Sequence, residues 1–224
     1  MNLPRWERLW ALSGALFVVL FFVGLLFGDV LANRPFPPIN ASPVVVQSYF
    51  LQNATEVQAL SFFHVLSAIA LLCFVAYLAA RVRRVASNGR ELADIALAGG
   101  VTAAAFFLLS AVCYRMLAEP TVATDPALAH ALLVLSYLAG GPLISVPLAL
   151  PIGISAFGTV RQQISLPRWT GWLGLAAMVT ALGSASYLLG PANNGSALYG
   201  LLLLGGVLSL LWVFIASVAF STSG

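Results

Sequence analysis

The sequence predicts an all-α fold: a polytopic transmembrane bundle of six helices with both termini cytoplasmic. Three observations predict it. The 224 residues are 61% hydrophobic and 8% charged, with a mean hydropathy of +0.98, where a soluble domain is nearer half apolar and a quarter charged. Apolar runs of about 20 residues, each enough to cross a hydrocarbon core of roughly 30 Å, recur along the whole chain. When those runs are threaded alternately through a membrane, eight of the ten arginines share one side.

The spans are expected near 9–31, 57–80, 93–117, 127–157, 169–190 and 196–220, forming a single domain over residues 1–224. The first run follows Arg5 and Arg8 and contains Gly24-Leu-Leu-Phe-Gly28, a spacing of small residues that lets a neighbouring helix approach closely. It is longer than a signal-peptide core and lacks a small-residue cleavage site, so it reads as a span. The second run exits through Arg81, Arg83 and Arg84, with Arg90 just beyond; Arg161 and Arg168 lie between the fourth and fifth. Only Arg34 and Arg115 fall on the other side, and the positive-inside rule makes that side the outer one. Trp6, Trp10, Trp169, Trp172 and Trp212 gather toward the inner half, and Tyr49, Tyr114, Tyr187 and Tyr199 toward the outer, as amphipathic rings at interfaces do. The tetrapeptide LPRW opens both the first and the fifth span. The fourth run is uncharged from Asp125 to Arg161 and holds Gly140-Gly141-Pro142, Pro147 and Pro151, which predicts a kinked or broken helix. The outer loop near 32–56 begins proline-rich and continues as an amphipathic segment, a candidate lid. Sequons at Asn40, Asn53 and Asn194 read as chance matches.

The basic residues are all arginine, a sign of GC-rich coding; the expectation is an actinobacterial protein of the bacterial cytoplasmic membrane. A dispersed net charge of +3 excludes a nucleic-acid partner. Cys73 and Cys113 fall inside spans without a CxxC or Cys/His cluster, so no metal site is expected. Phosphate-binding and hydrolase motifs are missing as well.

The lead to function is His64 and His130, the only histidines, each roughly six residues inside an apolar run. Ionisable groups at such depth are functional candidates by default. Helical spacing collects Ser61, His64 and Ser67 on the second span, and Ser110, Cys113 and Tyr114 on the third. It aligns His130 with Tyr137 on the fourth, and Thr180, Ser184 and Tyr187 on the fifth. Asp29, Glu56 and Asp125 stand at the outer ends. The pattern predicts an outward-facing polar pocket that takes a membrane lipid or another hydrophobic or amphiphilic small molecule. His64, His130 and Tyr137 are the candidates for chemistry; Arg115, Tyr114, Glu119, Asp29 and Tyr187 are the candidates for ligand contact. Two other readings stay open: an accessory subunit packed against a membrane partner or a second copy, and a b-type haem ligated by the two histidines. At single residues, Arg115 and Glu119 also fit a surface i,i+4 ion pair, and the histidines also fit ordinary interfacial hydrogen bonding.

Arg5-Trp6, the stretch Val44–Asn53 with its SYF core, the exit RVRR at Arg81–Arg84 and LPRWTGWLG at Leu166–Gly174 resemble an uncharacterised family of actinobacterial six-helix integral membrane proteins. The resemblance implies the topology and carries no activity.

Overall fold

Six apolar helices stand side by side, each leaning on its predecessor in sequence, and the last closes against the first. The computed structural model describes residues 5–85, 89–164, 166–190 and 197–222. The first span is α1 (Arg5–Leu25) continued by a π-helical turn, Leu26–Val30. After the loop helix α2 (Pro43–Gln52) come α3 (Ala54–Val85) and α4 (Gly89–Leu117). The short α5 (Pro120–Ala123) leads to the fourth span, which is two pieces, α6 (Pro126–Gly140) and α7 (Pro142–Val160). The fifth is α8 (Arg168–Gly183) with a 3-10 extension, Ser184–Leu189, and the sixth is α9 (Ala197–Thr222). The protein is therefore an all-helical, multi-pass membrane protein. Leu3 and Pro4 of the first LPRW copy, and Asn194, lie outside the described residues.

Helices in lipid gain little from apolar burial against each other, so small residues and interhelical hydrogen bonds hold them together. Among the described residues, five of the ring's six interfaces carry such a bond. Ser67 donates to the Phe17 carbonyl (2.8 Å), Ser61 to Ala111 (2.8 Å) and Ser110 to Ser136 (3.0 Å). The Trp212 indole donates to Thr170 (2.9 Å). Ser217 donates to the Ala11 carbonyl (2.6 Å) and accepts the Ala15 N–H (2.8 Å), inserting itself into a rung of α1. Trp212 is thus an internal post, fully buried, while Trp169 and Trp172 face outward as the sequence pattern expects.

Gly141 breaks the fourth span, with φ −106° and ψ −104° before Pro142 opens α7. Within α7, Pro151 has no N–H to offer the carbonyl of Pro147. That oxygen lies 2.6 Å from where a Cβ on Gly99 would stand, so α4 presents bare backbone to it. At the end of α7, Gln162 adopts φ 60°, and the Gln162 and Gln163 N–H groups turn back to Thr159 (3.0 Å) and Gly158 (2.9 Å), a Schellman stop without the usual glycine. The interior of the arginine-rich half is closed by Phe74, Trp212 and Phe220.

Candidate functional site

At the opposite end, the loop between α1 and α3 is tied down by side chains. The Tyr49 phenol donates to the Gly28 carbonyl inside the π turn. Asp29 accepts the Phe36 N–H (3.0 Å). Asn53, fully buried where α2 meets α3, accepts the Asn33 N–H (2.8 Å) and donates to the Tyr49 carbonyl (2.9 Å). Tyr137 donates to the Pro37 carbonyl (3.1 Å), and Gln47 to Thr124 (2.7 Å). Phe36 then drops into a nest of rings, with centroids of Tyr49, Phe50, Tyr114 and Tyr137 between 5.3 and 6.1 Å away. Burial, reinforced by the negative charges of Asp29 and Glu56, pushes the Tyr49 phenol well above its ordinary value of 10.0. The amide of Asn53 is committed at both ends, which accounts for its sequon as a structural asparagine.

Beneath this roof lies a cavity of about 350 Å³. Leu25, Gly28 and Asp29 from the first span, Phe36 and Pro38 from the loop, and Leu60 from α3 form one side. Tyr114, Tyr137 and Tyr199 bring three phenol rings from α4, α6 and α9. One carboxylate and three phenols therefore ring a space large enough for a small molecule, close to the lower end of ordinary ligand sites.

Of the residues expected to form a site, Asp29, Tyr114 and Tyr137 line this cavity. Tyr187 does not, but its buried ring lies 6.1 Å from that of Tyr199. Arg115 and Glu119 pair with each other at 2.5 Å on the exposed surface. The two histidines part company: α4 lies between α3 and α6. His64 is ten residues into α3 and His130 four into α6, roughly 15 and 6 Å along their helices at 1.5 Å per residue. Neither histidine lines the cavity, and no ring contact or hydrogen bond joins them among the described residues.

His64 is 3% exposed and packs as an aromatic ring. It stacks on Phe21 (5.4 Å, 2° between planes), leans on Phe107 (4.8 Å) and meets Tyr114 edge-on (5.8 Å). A Cβ on Gly24 would come within 2.8 Å of its Cδ2, and one on Gly28 within 2.8 Å of Leu60, so the glycine pair of α1 seats α3. Neither nitrogen of His64 has a hydrogen-bond partner among the described residues. It sits behind Tyr114, the ring that faces the cavity. The serine stripes serve packing: Ser61, Ser67 and Ser110 bond across helices, while Thr180 and Ser184 bond their own backbone.

Tyr199 and the roof residues Phe36, Tyr49 and Asn53 were not marked by the sequence as site residues. The available signal was weak: a tyrosine at a span end also fits an interfacial belt. No protein-family model, curated protein or solved structure matches the chain, so geometry alone carries the functional argument.

Proposed function

We propose that this cavity is a binding site, open toward the outer leaflet of a bacterial cytoplasmic membrane, for a lipophilic small molecule bearing an amino or hydroxyl head. The observation that carries the reading is the meeting of Asp29 with Tyr114, Tyr137 and Tyr199 around one space under an ordered roof. A carboxylate and electron-rich ring faces favour a cationic or donating head group, and Leu25, Leu60 and Pro38 suit an aliphatic body. The reading is binding rather than catalysis, because of the three side chains expected to do chemistry only Tyr137 reaches the space.

The test uses dodecylamine, dodecanol and dodecyl sulfate as probes on the purified protein in nanodiscs, with affinity read by equilibrium dialysis. Dodecylamine is expected to bind best and dodecyl sulfate worst. Asp29→Asn should weaken dodecylamine about tenfold while leaving dodecanol nearly unchanged, the loss of one charged hydrogen bond. Equal binding of the three probes, or an Asp29→Asn variant that binds as the parent does, overturns the proposal.

A further inference from the structure

A second concavity lies at the arginine-rich end, on the face where α1 and α3 meet. It encloses about 230 Å³. Ala76 and Ala80, both exposed, form its floor, with Trp10 of α1 beside them. Beside them stand Arg81, next after Ala80 in α3, and Arg84, three residues further on. The two guanidiniums differ in their engagement. Arg84 shares Glu7 at 3.4 Å, a loose pair. Arg81 makes no salt bridge among the described residues; its guanidinium lies 5.9 and 5.4 Å from the rings of Tyr77 and Phe220. Arg83, by contrast, points away and is held by Asp94 at 2.6 Å. The wall also holds Tyr77, which is 7% exposed and whose hydroxyl has no hydrogen-bond partner among the described residues.

We propose that this groove binds the phosphate of an anionic phospholipid, with an acyl chain laid along Ala76 and Ala80. The order of the groove matches the order of a lipid. Its small-residue floor runs along the membrane-spanning part of α3, and its cationic lip stands where that helix leaves the apolar zone. Guanidinium groups grip phosphate through paired charge-assisted hydrogen bonds, and basic pockets between spans on an arginine-rich side suit anionic headgroups. A phosphate between Arg81 and Arg84 supplies the acceptor that the Tyr77 hydroxyl lacks. A free phosphate ion would leave the apolar floor and Trp10 unused, so the lipid is the better fit.

The experiment is a lipid titration of the full-length protein in neutral detergent, followed by native mass spectrometry and by thermal shift. Phosphatidylglycerol, phosphatidylcholine and inorganic phosphate are the three probes. Phosphatidylglycerol is expected to bind about tenfold more tightly than phosphatidylcholine, and inorganic phosphate to give no shift. Arg81→Gln should remove most of that preference. Tyr77→Phe should weaken phosphatidylglycerol about threefold to tenfold without lowering the melting temperature of the lipid-free protein, since the hydroxyl has no partner to lose. Arg90→Gln removes the same charge from the same end outside the groove and should leave the preference intact. Equal binding of the two lipids, a shift with inorganic phosphate alone, or an equal loss in Arg90→Gln and Arg81→Gln overturns the proposal.

Discussion

Replacing Asn53 by alanine should unfasten the roof of the cavity without unfolding the bundle. Asn53 is fully buried and ties two segments together, accepting the Asn33 N–H at 2.8 Å and donating to the Tyr49 carbonyl at 2.9 Å. Alanine removes both bonds. The Tyr49 carbonyl keeps the Asn53 backbone N–H at 3.0 Å, and Asn33 is exposed and can turn to water, so no further desolvation penalty arises. Only the Asn33 bond reaches segment 31–42, and one bond at about 1 kcal/mol sets the loss there. That loss falls on loop opening, since the interhelical bonds lie elsewhere. Hydrogen exchange of the amides in 31–42 should accelerate about fivefold, at 1.4 kcal/mol per factor of ten. Exchange in α4 and α9 should not change, and the control Asn40→Ala, at an exposed position, should behave as the parent. Unchanged exchange in 31–42 would refute the assignment of Asn53 as the fastener.

Gly99→Ala places a methyl against the Pro147 carbonyl oxygen and should cost about 1–3 kcal/mol in denaturant unfolding; Gly206→Ala, which meets nothing within 4 Å, should cost nothing. His64→Phe replaces a buried imidazole that has ring neighbours but no hydrogen-bond partner, so stability should hold or rise by about 1 kcal/mol; a clear fall would reveal a partner for its nitrogens. For Tyr49, whose folded pKa is raised above its unfolded value near 10.0, the stabilisation is full below that value and is lost as pH climbs beyond it. The stability gap between the parent and Tyr49→Phe should therefore be constant up to about pH 9 and narrow above about pH 10. Arg115→Gln should change stability by no more than about 0.5 kcal/mol, because its pair with Glu119 is half exposed.

The spans were legible because hydropathy sets them directly. Each predicted boundary falls within five residues of the helix found, and the Gly141 break sits where the Gly-Gly-Pro run stands. What periodicity could not decide was which polar face turns to a cavity and which to a neighbour. Ser61, Ser67 and Ser110 have the spacing of a pocket lining, yet they bond across helices. His130 shares a helical stripe with Tyr137, but only Tyr137 lies under the roof. Asp29 and Tyr114 line the cavity from the ends of their spans, and Tyr137 from about three turns down α6. Tyr199 does the same from α9 and could be read from sequence only as a belt residue. The roof was harder still, since side chains distant in sequence, such as Tyr137 and Pro37, fix it.

The central claim is that the space bounded by Asp29, Phe36, Tyr114, Tyr137 and Tyr199 takes up an amphiphile. Photo-crosslinking with a diazirine-bearing dodecylamine, followed by peptide mapping, tests it most directly. The account predicts adducts on the segments containing Phe36, Tyr137 or Tyr199 that excess dodecylamine suppresses and that decline in Asp29→Asn. Adducts spread over the lipid-facing surfaces of the helices, indifferent to competitor and to Asp29→Asn, would contradict it.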